Sequence, residues 1–344
     1  MTALWIDPFG GLSGDLWVAG LVGLGADPEA LRASLRRFPF PGLEVRFGMV
    51  QRCGLAAHRA EVSVGGRVDD GSAPHLIRPG QTLKGTRRGK VFRGHTWADV
   101  DQLLKAHLDG DAANLAREAY RRLGEAEARV HGVPLEAAHF HEVGNQDSIA
   151  DVVLAAVAWQ LLGRPEVHVG PVAVGRGRVK IAHGTYPIPT PATLHLLEGF
   201  ELCPGSAPED KELTTPTGAA VASALATHRC APPRFIPHRS VFAAGSYDFP
   251  QTPAASRFIL GRVPEAPEAL IQVETNVDDA TPQQVAYAQA RLLEAGALDV
   301  WVLPATFKKN RSGWVLGAVV PPSRIEPVTA RLVAELPTLG VRSW

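Results

Sequence analysis

The sequence predicts an α/β (α+β) first domain followed by a smaller ferredoxin-like α+β domain. Three observations predict it. The chain opens as a strand, a glycine-rich turn and a helix; a proline-rich break stands at Val263-Pro264-Glu265-Ala266-Pro267; and strand–helix–strand–strand–helix follows that break. The 344 residues also exceed the roughly 250 at which a single core stops growing, so domains are expected over 1–263 and 268–344.

The elements follow in order. Ala3-Leu4-Trp5-Ile6 is a short apolar run, Asp7 to Asp15 a glycine-rich turn, and Leu16 to Leu24 continues with helical spacing. Asp27-Pro28 fits an N-cap with proline at the first helical position, starting a helix through Leu35. Loose alternation over Leu43 to Val64 reads as a hairpin. From Gly65 to Gly94 the chain turns polar, and Arg78 to Arg93 holds six basic residues and no acid, which predicts a solvated, mobile basic loop or, on the sharper reading, a clamp for an anionic substrate. Helices are expected over Trp97–Ala106, Ala112–His131 and Asp147–Leu162, and strands over Val167–Val174 and Val179–Ala182. Pro187, Pro189 and Pro191 enforce extended backbone before a short helix from Ala192, and Thr214-Thr215-Pro216-Thr217-Gly218 precedes an alanine-rich helix. In the second domain, strands at Leu270–Val273, Asp299–Leu303 and Trp314–Val320 alternate with helices at Thr281–Ala295 and Ser323–Leu336. The last strand should start near Gly340-Val341-Arg342, where the sequence stops, so this domain is expected to be truncated.

Composition narrows the function. Lys and Arg number 35 against 35 Asp and Glu, so no global charge favours nucleic acid or an anionic membrane. No run of 18 apolar residues exists, and no basic stretch followed by an apolar one opens the chain, which predicts neither a membrane span nor a secretory leader. Three scattered cysteines without C-x-x-C spacing argue against a disulfide framework and for a reducing, cytoplasmic location. All 12 histidines lie between His58 and His238.

The densest chemistry is His139-Phe140-His141-Glu142, followed by Asp147 and Asp151. In an extended segment the two histidines share one face, with Phe140 turned into the core. Two imidazoles suit zinc, nickel, copper or iron, and carboxylates complete or orient the shell; Asp147 also fits as cap of the next helix. Asp7 to Asp15 (D-P-F-G-G-L-S-G-D) sets two carboxylates and the Ser13 hydroxyl around a turn whose amides suit an anion and whose acids suit a hard cation. It lacks the Lys-Ser/Thr of a Walker loop. Thr214 to Gly218 is similar, as a helix start that binds phosphate or simply caps itself. Near the end, Glu274, Asn276, Asp278 and Asp279 crowd a strand terminus, and Lys308-Lys309-Asn310-Arg311-Ser312-Gly313 is a basic turn. Together they suit a magnesium or manganese nucleoside triphosphate; apart, they are two solvated loops. There is no G-x-S-x-G elbow and no basic patch interleaved with aromatics.

Five motifs, in this order, carry a resemblance: D-P-F-G-G-L-S-G-D, H-F-H-E-V-G-N-Q-D-S-I-A-D, A-H-G-T-Y-P-I-P-T-P-A-T, E-L-T-T-P-T-G-A-A, and E-T-N-V-D-D with K-K-N-R-S-G. The chain resembles the LarC family of nickel-insertion proteins over nearly its whole length. The resemblance implies a cytoplasmic, CTP-dependent lyase or metal chelatase, a nickel cyclometallase. It inserts nickel into pyridinium-3,5-bisthiocarboxylic acid mononucleotide to make the nickel-pincer cofactor, through Ni–S bonds and one Ni–C bond. With it come CTP with Mg or Mn, a cofactor-accepting racemase as partner, and a homo-oligomer. Metal ligands are expected among His139, His141, Asp147, Asp151, Asp7, Asp15, Glu274 and Asp278. Phosphate and nucleotide contacts are expected from Ser13, Gly14, Thr215, Thr217, Gly218, Lys308, Lys309 and Arg311. Forming Ni–C removes a ring proton, for which His141, Glu142 and His183 are the candidate bases. Two other readings use the same residues: a nickel storage or delivery protein without turnover, and a zinc-dependent hydrolase built on His139, His141 and Asp151.

Overall fold

A computed structural model of the chain describes residues 2–64, 67–68, 96–140, 143–181, 184–232, 234–264 and 270–344. The basic loop expected over 65–94 lies outside them, apart from Arg67–Val68. Two compact units divide the chain, Met1–Pro264 and Glu265–Trp344.

The first unit opens with β1 (Thr2–Asp7), α1 (Gly14–Gly23) and α2 (Pro28–Leu35). Asp27 caps α2 by accepting the Glu29 amide at 3.0 Å, with Pro28 in the first turn, as its sequence suggests. The hairpin β2 (Leu43–Arg52) and β3 (Leu55–Val64) follows, with the short β4 (Arg67–Val68) beside β3. Next come α3 (Trp97–His107), α4 (Gly110–His131) and α5 (Gln146–Leu161). After them run β5 (Glu166–Val169), β6 (Val172–Ala173), β7 (Gly175–Arg176), β8 (Arg178–Ile181), β9 (Gly184–Pro187), α6 (Pro191–Leu196), β10 (Leu202–Cys203), β11 (Lys211–Glu212) and α7 (Pro216–Leu225). The last two strands are β12 (Ile236–Ala244) and β13 (Ala255–Arg262).

The main sheet has the order β2-β3-β12-β13-β1-β5, with β1 antiparallel to β13 and parallel to β5. Its two middle strands, β12 and β13, are absent from the sequence reading. Pro237 interrupts the alternation of β12 and stands at a bulge, where the register shifts between Pro237 and Arg239. On one face α1 packs against β3, β12 and β13, α5 packs on α1, and α4 packs on α5, α6 and α7. The residues of α5 from Ile149 to Ala158 are buried all around the helix except Asp151, as befits a helix enclosed on every side. The core beneath centres on Leu4, Ile6, Trp17, Tyr120, Ile149 and Phe258, with Trp17 and Phe258 meeting edge to face at 5.6 Å.

The second unit contains β14 (Ile271–Val277), α8 (Pro282–Glu294), β15 (Asp299–Phe307), β16 (Arg311–Val320), α9 (Ile325–Glu335) and β17 (Val341–Ser343). Thr281 and Gln284 form a capping box at the start of α8. The strand order β15-β16-β14-β17, antiparallel throughout, is that of a βαββαβ unit. The fourth strand, expected to be cut short, is three residues long and pairs with β14. Val273, Leu316, Ala288, Leu292, Val328 and Leu332 form its separate core.

Candidate functional site

Two glycine-containing turns meet where α1 and α7 begin. The Leu12 amide donates to Thr214 Oγ1 at 3.0 Å, and the Leu12 carbonyl accepts the Thr215 amide at 2.8 Å. The Thr214 hydroxyl donates onward to the Ala173 carbonyl at 2.7 Å. Thr215 caps α7 by accepting the Gly218 amide at 3.2 Å. A Cβ on Gly218 would stand 2.2 Å from the Leu12 oxygen, so only glycine lets the turns approach this closely. The sequence motifs at 7–15 and 214–218 are therefore one place in the fold, with two helix N-termini whose amides favour anions.

Acids collect at the same place. Ser13 is the N-cap of α1, yet its hydroxyl donates to Asp15 Oδ1 rather than capping the helix amides. The Leu16 amide donates to the same oxygen at 3.0 Å. Burial nevertheless raises the Asp15 pKa, overriding these bonds and the nearby Arg59 charge. A Cβ on Gly14 would lie 2.5 Å from Asp151 Oδ2, so the first turn of α1 rests directly on that carboxylate of α5. Asp147 lies in the first turn of α5, whose N-cap is Asn145. This corrects the expectation that Asp147 caps the helix: the helix starts two residues earlier, with Asn145 as its cap. Asn145 Oδ1 and Gln146 Oε1 are buried acceptors with no donor among the described residues. Tyr120 is fully buried, donates to the Val143 carbonyl at 3.0 Å, and is kept in its neutral form by burial and then by Asp147 and Asp151.

A small cavity of about 80 Å³ lies beside this cluster. Its lining draws Val143 from the segment before α5, Ile181 and Tyr186 from the β8–β9 hairpin, Thr190 from before α6, and Glu212 and Pro216 from before α7. Glu127 and His131 of α4 complete it. Glu212 accepts from the Thr190 amide at 3.2 Å and hydroxyl at 3.0 Å, which locks the cis Ile188-Pro189 turn against β11. Three motifs distant in sequence thus share one wall. A larger cavity of about 730 Å³, between α4, α6 and α7, is lined by Arg121, Arg122, Arg129 and Arg229. Its arginines are largely occupied: Glu118 and Glu125 bind Arg121, and Glu198 binds Arg129. The smaller cavity is the one the motif segments share, and at about 80 Å³ it has room for an ion or a few waters, not for a mononucleotide.

Other expected residues fall as follows. Asp7 ends β1 in an ion pair with Arg257 at 2.7 Å. His139 is exposed, and Phe140 is buried against Tyr120 with ring centroids 5.7 Å apart, as the alternation requires. His141, Glu142 and His183 lie outside the described residues. Thr217 is buried in the first turn of α7. In the second unit, Arg311 donates to Asp278 at 3.2 Å, so the acidic strand end and the basic turn do meet. Glu274 pairs with Arg342 at 3.2 Å, and Lys308 and Lys309 are exposed, with Lys309 at φ 62°. Among the described residues, the acids and His139 do not converge into a metal-sized group. The sequence reading passed over Tyr120, Glu127, His131 and Glu212. Glu212 stands inside the E-L-T-T-P-T-G motif and was legible there; the α4 residues sit on an ordinary amphipathic helix and carried no signal.

Comparison with known proteins places these motifs in context. The family described as "Nickel insertion protein" matches residues 4–344. A putative nickel insertion protein of Myxococcus xanthus (strain DK1622) is 38% identical over 342 residues, covering 98% of this chain and 81% of the relative. A pyridinium-3,5-bisthiocarboxylic acid mononucleotide nickel insertion protein of Nocardioides sp. (strain ATCC BAA-499 / JS614) is 36% identical over 343 residues, 99% of this chain and 81% of the relative. Among solved structures, LarC2, the C-terminal domain of a cyclometallase involved in the synthesis of the NPN cofactor of lactate racemase, is 32% identical. That match covers 22% of this chain and 52% of that one, at a TM-score of 0.22.

Proposed function

Because the chain belongs to the nickel insertion protein family, we propose that it inserts nickel into pyridinium-3,5-bisthiocarboxylic acid mononucleotide to form the nickel-pincer cofactor. The observation that carries this reading at the level of the site is the junction of α1, α5 and α7. There the starts of α1 and α7, whose dipoles favour a phosphate, meet beside the carboxylates of Asp15 and Asp151, while the Leu12, Leu16, Thr215 and Gly218 amides are bonded within the fold.

The substrate is an anion with two thiocarboxylates, and nickel is cargo that must be held loosely enough to leave. Imidazole and carboxylate donors suit such a hold, being harder than the sulfur and carbon that receive the metal. In this reading nickel is held loosely by one or two at a time of Asp151, Asp147, Asp15, Asp7, His139 and His141, with water completing its shell, since the described ones do not close around an ion; Ser13, Gly14, Thr215, Thr217 and Gly218 seat the phosphate. Asp15, with its raised pKa, holds a proton more readily than an ordinary carboxylate and so does not repel that phosphate fully. The base that takes the ring proton is drawn from His141, Glu142 and His183. Tyr120, neutral beneath Asp147 and Asp151, keeps the floor of the site rigid.

CTP with magnesium or manganese belongs to the second unit in this reading. The Arg311–Asp278 pair sets a carboxylate next to a guanidinium, with Lys308 and Lys309 on the adjoining turn. Bound there, CTP would be held at its phosphates by Lys308, Lys309 and Arg311, and Asp278 or Glu274 would supply a carboxylate to its metal. The test is to incubate the purified chain with nickel, substrate and magnesium, with and without CTP, and analyse the product by mass spectrometry. Nickel-bearing product formed only with CTP supports the reading. Nickel bound to the protein without product would replace it with storage or delivery.

A further inference from the structure

A second set of metal-type side chains lies on the other face of the first unit's sheet. In β5, Val167 and Val169 are buried in the helix-side core, so alternation turns His168 to the opposite face, in register with Trp5 of β1. An isolated parallel bridge joins His168 to His228, and Glu166 completes the group. One ligand atom from each of Glu166, His168 and His228 lies within 4.8 Å of the others. Glu166 Oε1 is 2.9 Å from His228 Nε2, and the two imidazoles stack with centroids 4.3 Å apart at 19°.

His168 is only 4% exposed, and neither ring nitrogen has a hydrogen-bond partner of normal geometry among the described residues, although the Cys230 backbone is near enough to favour its charged form. Buried polar atoms are nearly always satisfied, so an orphaned imidazole beside a carboxylate and a second imidazole calls for a partner. We propose that Glu166, His168 and His228 form a binding site for a divalent first-row transition ion such as nickel, zinc or copper, separate from the α1–α5–α7 junction. Two nitrogen donors and one oxygen donor suit those ions and disfavour magnesium and calcium. His228 is the adjustable ligand. Its side chain is 45% exposed, so it can swing out of the stack and turn a nitrogen toward the ion, which takes the place of the proton shared with Glu166. The open side toward solvent leaves room for water as a further ligand. This site does not depend on the proposed nickel insertion.

The experiment is a titration of the metal-stripped full chain with nickel and, separately, zinc, followed by calorimetry and metal analysis. His228→Ala and Glu166→Gln, both at solvent-reachable positions, should each weaken one bound equivalent at least tenfold, while His139→Ala leaves that equivalent in place. As a check on the unmodified chain, bound metal should protect His228 from imidazole acylation mapped by mass spectrometry. Variants that titrate like the native chain, or acylation of His228 at an unchanged rate with metal present, would overturn the proposal.

Discussion

Replacing Gly14 with alanine puts a methyl group at the closest approach of α1 to α5. It would lie 2.5 Å from Asp151 Cβ and Oδ2, and 2.8 Å from its Cγ. Non-bonded carbons prefer about 3.5–4.0 Å, so the helices must move apart or Asp151 must leave its rotamer. Overpacking of this kind costs about 1–3 kcal/mol. Gly14 is the first residue of α1, so alanine's better helix propensity returns only about 0.5 kcal/mol, leaving a net loss of about 1–2 kcal/mol. For a unit of this size that is a fall in Tm of about 2–8 °C, read by calorimetry or circular dichroism. The cause is isolated by a second background, Asp151→Gly, which removes the Cβ that the methyl strikes. There the Gly14→Ala loss should shrink to nearly nothing, a coupling of about 1 kcal/mol or more. An equal loss in both backgrounds, or none in the native chain, would refute the packing argument and, with it, the placement of Asp151 against the α1 turn.

Two further predictions concern pH. Arg121 binds both Glu118 oxygens at 2.8 Å, with Arg122 at 2.7 Å, and these bonds hold the Glu118 carboxyl down to about 2. A depressed pKa stabilises the fold above the unfolded value and loses that contribution as pH falls through the folded one. Glu118→Gln should therefore cost about 1 kcal/mol at neutral pH, after allowing for screening of a partly exposed group, and progressively less as pH drops below about 4.5 toward about 2. Denaturant unfolding across that range checks it; a pH-independent difference would contradict the ion-pair origin. Asp15 has the opposite sign: its raised folded pKa gives a contribution that is complete below the unfolded value and lost as pH rises through the folded one. Asp15→Asn should raise Tm at neutral pH and make little difference in acid, and a variant less stable at neutral pH would show that the carboxylate is stabilised rather than strained.

Much of the fold was legible because its signals are local. Asp27-Pro28 announced the start of α2, loose alternation over Leu43 to Val64 announced the β2–β3 hairpin, and the apolar spacing from Thr281 to Ala295 announced α8. β12 and β13 were not, since their place at the centre of the sheet depends on pairing with strands some two hundred residues away, and Pro237 breaks the local pattern. The site divides in the same way. The turns at 7–15 and 214–218 looked like separate helix starts, and only the Leu12 bonds to Thr214 and Thr215 join them. Asp151 was visible as an acid in an apolar run, but its contact with Gly14 is tertiary. Glu166, His168 and His228 had no motif at all. Two of them lie in one strand, and the third is brought beside them by a bridge sixty residues on.

The most direct test of the central claim is the nickel-bearing mononucleotide formed per chain in a single turnover, measured by mass spectrometry for the native chain, Asp151→Asn and His139→Ala. Product is expected from the native chain, with each variant reduced tenfold or more while circular dichroism shows the fold intact. Native-level product from Asp151→Asn would contradict the placement of nickel transfer at the α1–α5–α7 junction, native-level product from His139→Ala would remove His139 from the transfer, and no product from the native chain with CTP, metal and substrate supplied would contradict the function itself.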